Sequence, residues 1–160
     1  MNFLKKILKE IILSILPAFV IVFIITRFIF ILAFVNGSSM LPTLSDGSFL
    51  ILGKISLING VERFSIITTD TYRDDLIIKR IIGLPNEHIE YKNNVLYVNG
   101  VAIEEPFDTN TITKDFKIQL NDDQYFIMGD NRSNSIDSRN FGSISYDDIL
   151  TEGIWLNLDF

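Results

Sequence analysis

A long apolar segment near the N-terminus limits the folds open to this chain more than any other feature. From Ile11 to Val35 the residues are almost all apolar, and Arg27 is the single charge in the run. A helix over residues 10–27 would be about 27 Å long, close to the roughly 30 Å of a hydrocarbon core. A cleaved signal peptide has an apolar stretch of only about 7–15 residues. We therefore predict an uncleaved transmembrane helix at residues 10–27.

The charges around this run predict its orientation. Three lysines lie within residues 1–9, and the positive-inside rule places such an end in the cytoplasm. Arg27 would then lie at the outer interface, where its long side chain can extend to the lipid headgroups. Residues 28–160 are predicted to form one extracytoplasmic domain. The expected protein crosses the cell membrane once, with lipid around the helix.

The composition of the outer domain excludes several functions. Residues 28–160 contain 10 basic and 19 acidic residues, a net charge of −9. Because no basic stripe is available to neutralise phosphates, nucleic acid is not an expected partner. The chain has no cysteine and a single histidine, which leaves few ligands for zinc. We expect neither a metal nor a cofactor.

Short alternating runs follow the apolar segment and predict an all-β outer domain of short strands and hairpins, tethered by one N-terminal helix. The pairs Asn93-Asn94 and Asn99-Gly100 are turn signals between runs. Helical patterning after residue 36 is weak, apart from about one turn near residues 146–150. The predicted strands cover residues 49–52, 64–69, 76–82, 89–92, 95–98, 101–103, 116–120 and 125–128.

One lysine lies within a predicted strand of isoleucines. In a strand, alternate residues share a face, so Ile77, Lys79 and Ile81 point the same way. Burial there would lower the pKa of the Lys79 amine toward neutrality, and a neutral amine can act as a base. The alternative is that Lys79 and Arg80 form a basic pair on an exposed edge strand, where lysine deters aggregation. The spacing alone leaves both interpretations open.

A serine lies directly after the apolar run. Ser39 occupies the segment GSSMLPTL, residues 37–44. A serine hydroxyl is a poor nucleophile until a base takes its proton, and a buried lysine would be such a base. Taken alone, a Gly-Ser-Ser stretch is more typical of a flexible exit from an anchor.

A third segment, GDNRSNSIDSR at residues 129–139, is crowded with hydrogen-bonding groups. If it runs extended, Ser135, Asp137 and Arg139 share one side. Asp137 and Arg139 would then pair through charge-assisted hydrogen bonds, and Ser135 would accept a hydrogen bond from a nearby amine. The alternative is a polar surface loop.

Together the three segments resemble those of the bacterial type I signal peptidases, membrane-anchored serine proteases that remove signal peptides from exported proteins. GSSMLPTL resembles the family's nucleophile box, IKRIIGLP at residues 78–85 its lysine box, and GDNRSNSIDSR its C-terminal box. The order and the intervals agree, and the small size with one anchor resembles the Gram-positive form. The resemblance implies an endopeptidase that cleaves preproteins after small residues at positions −3 and −1.

The resemblance also implies a role for each polar residue. Ser39 would attack the scissile carbonyl, and Lys79 would serve as general base and then as proton donor to the leaving amine. Ser135 would orient the lysine ammonium, while Asp137 and Arg139 would hold that loop in place.

The oxyanion hole is expected to use the backbone N–H of Ser39. Some relatives carry a serine two positions earlier as a second donor, but Gly37 stands there. A backbone group is therefore the expected second donor.

Substrate selection is expected to depend on two shallow apolar pockets. The substrate would dock as an added strand, and residues 28–35 would dip into the outer leaflet beside the nucleophile. The positions that resemble the pocket lining are Val35, Met40, Leu44, Ile77 and Ile78.

Two other functions and one other base are open at this point. A membrane-anchored assembly or binding protein of the same fold would act without catalysis, but such chains are expected to lose the serine or the lysine. A self-processing Ser-Lys protease, such as a repressor, would need no membrane anchor. His88 is the alternative base, although it lies beside a predicted hairpin.

Overall fold

The computed structural model describes residues 2–54, 60–72, 75–109 and 111–158. Helix α1 spans Asn2–Phe28, so it starts well before the predicted residues 10–27 and ends one residue later. The side chains of residues 9–23 are all exposed. Among the residues that the structure describes, no helix combines the length and the apolar character needed to cross a membrane. The position predicted for the Arg27 side chain lies outside the described residues.

The remainder of the described chain is built mainly from strands, which confirms the predicted all-β domain. Two short helical segments are present in addition, α2 (Ser138–Phe141) and a 3₁₀ turn at Tyr146–Asp148. The described strands are β1 (Phe30–Phe34), β2 (Phe49–Gly53), β3 (Ile66–Thr69), β4 (Ile77–Gly83), β5 (His88–Lys92), β6 (Val95–Val98), β7 (Val101–Ile103), β8 (Phe116–Gln119), β9 (Phe126–Met128), β10 (Ile149–Glu152) and β11 (Ile154–Leu158).

These strands form three antiparallel sheets, with the orders β1-β2-β11, β10-β3-β4-β9 and β7-β6-β5-β8. In the third sheet, both predicted turns join neighbouring strands of the meander β5-β6-β7, and β8 returns to pair with β5 on its other edge. Asn93, Asn94 and Asn99 adopt positive φ angles of 52°, 62° and 50°, as expected for tight hairpin turns. All eight predicted strands are present, with their ends shifted by no more than two residues.

Three strands and one helix were not predicted. Strand β1 lies within the apolar run, where the sequence has no polar residues to mark an alternation. The alternation is in burial instead: Ala33 and Val35 are buried, whereas Leu32 and Phe34 are 53% and 71% exposed. The β1 segment pairs with β2 in register from Phe30–Gly53 to Phe34–Phe49. Helix α2 begins at Asp137, which serves as its N-cap.

Strand β4 lies at the centre of the domain. It pairs with β3 on one side and with β9 on the other. Ile82 belongs to the core cluster under the third sheet, Ile81 to the cluster between β3 and β9, and Ile78 packs against the cluster beneath β1 and β2. Lys79 and Arg80 are 4% and 7% exposed. The interpretation of these two residues as an exposed basic pair on an edge strand is therefore wrong.

Candidate active site

Ser39 lies in the loop between β1 and β2, and contacts on two sides fix its position. Met40, the next residue, is 1% exposed and belongs to the core. On the other side, the Asn131 backbone N–H donates to the Ser39 carbonyl at 3.0 Å, and its side-chain amide donates to the Ser38 carbonyl at 3.0 Å. The Asn134 amide donates to the Ser38 hydroxyl at 2.8 Å. The nucleophile segment is thus held between the core and the C-terminal polar segment.

Lys79 extends from the central strand β4 to Ser39. Its Nζ donates to the Ser39 Oγ at 2.9 Å and to the Ile78 carbonyl at 2.9 Å. Burial lowers the pKa of the Lys79 amine from 10.5 to about 8, although the carboxylates of Asp137 and Asp130 act in the opposite direction. A substantial fraction of the amine is therefore neutral at mildly alkaline pH, as a base requires.

Asp137 organises the C-terminal segment. Its buried carboxylate accepts hydrogen bonds from the backbone N–H groups of Gly129 at 3.0 Å and Arg139 at 3.2 Å. It also forms a two-pronged ion pair with the Arg139 guanidinium, with distances of 2.8 and 2.7 Å. The predicted Asp137–Arg139 pair is present. The segment is not extended, however, because Asp137 starts helix α2 and Arg139 lies within that helix.

Ser135 does not make the contact that was predicted for it. Its hydroxyl is buried and has no hydrogen-bond partner among the described residues, so the expected bond with the Lys79 amine is not formed. The hydroxyl nevertheless lies close to the nucleophile segment. A methyl group at Gly129 would be 2.3 Å from the Ser135 Oγ and 2.5 Å from the Ser39 carbonyl oxygen. The absence of a side chain at Gly129 is what allows the two serines to approach each other.

Arg80 and Asp130 join the three polar segments behind the site. The guanidinium donates to the two Asp130 carboxylate oxygens at 2.8 and 2.6 Å. The Thr43 hydroxyl donates to the same carboxylate at 2.5 Å, and Phe107 lies against the guanidinium at 4.0 Å. Their hydrogen bonds join the three segments to one another rather than to the Ser39 hydroxyl, as expected for residues that hold the framework.

Other polar residues that support the C-terminal segment were not predicted from the sequence. Arg132 is buried and donates to the Tyr91 hydroxyl at 2.7 Å and to the Thr113 hydroxyl at 3.0 Å. It also donates to the Gly129 carbonyl at 3.1 Å and forms an ion pair with Glu105. Its partners come from distant parts of the chain, so no local pattern indicates them. Asn131 and Asn134, in contrast, lie in the polar segment that the sequence already singled out.

The serine and the lysine face an open cleft of about 590 Å³. Val35, Met40, Ile77 and Ile78 line it as predicted. Leu44 does not. It lies one turn after Met40, to whose carbonyl its N–H donates at 3.0 Å, and its side chain is directed into the core with 2% exposure.

His88 is not near the cleft. It lies on β5, where its backbone pairs with Gln119 of β8, and its N–H donates to the Asn99 side chain at 2.9 Å. Among the described residues it has no contact with Ser39. The structure therefore gives no support to His88 as the base.

A serine hydroxyl in contact with a buried amine, in an open cleft of a β-domain, has the chemical layout of a hydrolase that acts through a serine nucleophile. Comparison with known proteins agrees with this class. The model of the family described as signal peptidase, peptidase S26, matches residues 8–156 of the chain.

Individual relatives give the same result. The chain is 36% identical over 167 residues to signal peptidase IB of Staphylococcus aureus, covering 92% of this chain and 87% of the relative. It is 38% identical over 160 residues to signal peptidase I U of Bacillus subtilis, covering 91% and 85%. A crystal structure of a signal peptidase I from Enterococcus faecalis superposes with a TM-score of 0.51 at 33% identity, covering 57% of this chain and 94% of that one.

The chain therefore belongs to the signal peptidase family, peptidase S26, and it is a serine peptidase. The family and the enzyme class predicted from the three polar segments are confirmed.

Proposed function

We propose that this protein removes signal peptides from exported preproteins at a membrane surface, with Ser39 as nucleophile and Lys79 as general base, after small residues at positions −3 and −1. The observation that carries the proposal is the 2.9 Å contact between the Lys79 Nζ and the Ser39 Oγ. It joins the serine hydroxyl of the nucleophile segment to an amine whose burial favours the neutral form.

The reaction begins when Ser39 attacks the scissile carbonyl while the Lys79 amine takes its proton. The resulting ammonium then protonates the leaving amine, the peptide C–N bond breaks, and the mature protein departs. The signal peptide remains as an ester on Ser39. A water molecule, deprotonated by the same amine, hydrolyses that ester and restores the serine.

Ser135, Asp137 and Arg139 support the lysine during this cycle. Once Lys79 is protonated to the ammonium, it can donate three hydrogen bonds, and the Ile78 carbonyl accepts one of them. The unpartnered Ser135 hydroxyl is a ready acceptor for another. The Asp137–Arg139 pair holds the Ser135 segment against Gly129 and so keeps that acceptor close.

The oxyanion is proposed to form beside the Ser39 backbone N–H. Within the described residues, this N–H donates to no protein acceptor. Gly37 supplies no side-chain donor, and its positive φ of 100° suits glycine. Loss of one donor from such a hole typically lowers the rate by about 10²–10³.

The cleft walls suggest how small residues are selected. Val35 and Met40 form the floor of the cleft and are almost fully buried, while Ile77 and Ile78 are half-buried at its side. A large substrate side chain would clash with this floor, whereas alanine would fit. Strand β1 is an outer strand of the first sheet, so one of its edges is unpaired among the described strands and is suited to receive the substrate as an added strand.

The membrane part of the proposal rests on the N-terminal segment. The proposed arrangement places residues 1–9 in the cytoplasm, a membrane-spanning helix at 10–27 and the catalytic domain at 28–160 outside the cell. Its support is the apolar sequence, the exposure of every described side chain in residues 9–23, and the exposed Leu32 and Phe34 beside the cleft. Exposed apolar surface of this kind is stable when lipid covers it.

Cleavage of a preprotein with an Ala-X-Ala site tests the proposal. The full chain in nonionic detergent should cut after the second alanine, and Ser39→Ala and Lys79→Ala should both abolish cutting. His88→Ala is the matched control and should retain activity. Cutting that survives Lys79→Ala but is lost in His88→Ala would overturn the proposed base, and no cutting by the folded chain would favour a non-catalytic role.

A further inference from the structure

A second groove lies beside the catalytic cleft and is not used by the proposed mechanism. It has a volume of about 630 Å³. One wall consists of β8 and the residues just before it, and the other consists of the polar segment that leads into α2. Ser133 and Ser135 line both this groove and the catalytic cleft. The two depressions are therefore separated only by that segment.

The groove is basic although the domain is acidic, and we call it the basic groove. Lys114 and Lys117 are exposed on its rim, and neither has an ion-pair partner among the described residues. The one acidic residue of the lining, Asp115, already accepts a hydrogen bond from the Asn93 N–H at 2.9 Å. Glu90 stands opposite Lys117 on β5 and offsets part of its charge. Two lysines without an ion-pair partner among the described residues thus line one groove of a domain with a net charge of −9.

The same groove offers the contacts that an extended peptide requires. Strand β8 is the last in the order β7-β6-β5-β8, so one of its edges is unpaired among the described strands. Unpaired strand edges bind extended peptides through main-chain hydrogen bonds. Ile112, 78% exposed, and the half-buried Phe116 and Ile118 add apolar surface.

We propose that the basic groove binds the part of the substrate that follows the scissile bond, and that it favours acidic residues there. This inference rests on the proposed function of the adjacent cleft. Ser135 lines both depressions and lies close to the Ser39 backbone across Gly129, so the groove begins near the nucleophile segment. An extended chain advances about 3.3 Å per residue, so residues about three to six positions after the cut reach roughly 10–20 Å beyond the scissile bond, and the proposal assigns these residues to the groove.

Three preproteins that differ only at these positions test the proposal, with two aspartates, two asparagines or two lysines. The full chain in nonionic detergent at low salt should give a kcat/KM about threefold to tenfold higher for the aspartate substrate than for the lysine substrate, and salt should reduce the difference. Lys114→Glu/Lys117→Glu should reverse the preference. Lys92→Glu, exposed on the neighbouring strand β5 and outside the groove lining, should leave it unchanged.

Peptide binding to the Ser39→Ala chain, measured by fluorescence anisotropy, separates failure of this inference from failure of the proposed function. Tighter binding of the acidic peptide without any cleavage by the native chain would support the groove and refute the peptidase mechanism. Cleavage at equal rates for all three substrates would refute the groove alone. The groove inference would also be overturned if the Lys114→Glu/Lys117→Glu chain bound phosphatidylglycerol vesicles more weakly but kept the native substrate preference, since the groove would then bind lipid.

Discussion

The pH dependence of cleavage follows directly from the environment of Lys79. With a pKa of about 8 for its amine, the neutral fraction is about 1% at pH 6, about 9% at pH 7 and about 90% at pH 9. Because the neutral amine is the base, kcat/KM should rise roughly 90-fold between pH 6 and pH 9. A lysine with the unperturbed pKa of 10.5 would instead give a rate that is still rising tenfold per unit at pH 9.

The assay is the initial rate of cleavage of a labelled preprotein at substrate concentrations well below KM, because kcat/KM reports the ionisation of the free enzyme. Asp137→Asn provides a test of sign. The Asp137 carboxylate raises the pKa of Lys79, so its removal should move the acidic limb of the profile to lower pH. His88→Gln is the matched control and should leave the midpoint in place.

Two results would refute this reasoning. A rate that stays constant from pH 6 to pH 9 would show that no group with a pKa of about 8 controls the reaction. A pH dependence that disappears in His88→Gln would identify the histidine as the base, contrary to its position on β5.

Three further predictions concern the frame of the site and the anchor. Ser135→Ala should leave the free energy of unfolding unchanged or raise it by about 1 kcal/mol, because a buried hydroxyl without a partner is removed. The same variant should lower kcat at least tenfold, and an unchanged kcat would contradict the proposed role of Ser135. Arg80→Met should lower the free energy of unfolding by about 3–5 kcal/mol, because it leaves the Asp130 carboxylate buried and unpaired; denaturant unfolding measures this, and a loss below about 1 kcal/mol would refute it. Since the chain has no cysteine, single cysteines at Asn2 and Asp122 can report topology in intact cells: an impermeant thiol reagent should label only the cysteine at 122, and labelling of both would contradict the proposed orientation.

Local pattern predicted most of the β-domain. The segments around the asparagine turns alternate regularly, so β5, β6 and β7 were found with ends displaced by at most one residue. Strand β1 was missed for a physical reason. Its outward residues Leu32 and Phe34 are apolar, so the sequence lacks the polar positions by which a half-exposed strand is recognised.

The site was predictable where it is local and unpredictable where it depends on packing. The Asp137–Arg139 pair was predicted from spacing in an extended segment, and it forms instead at the start of helix α2, where the two residues are also close in sequence. The burial of Lys79 was undecided, because it depends on β3 and β9 flanking β4, which spacing within one strand does not reveal. Leu44 was wrongly placed in the pocket, since the turn after Met40 directs it into the core.

The most direct test of the central claim is to trap the covalent intermediate on Ser39. The full chain is mixed with a preprotein, the reaction is stopped with acid within the first turnover, and the digested chain is analysed by mass spectrometry. We expect the peptide that contains Ser39 to carry the acyl group of the signal peptide, and Lys79→Ala to abolish this product. Acylation of any other residue, or full turnover with no acylated peptide at any time, would contradict the proposed mechanism.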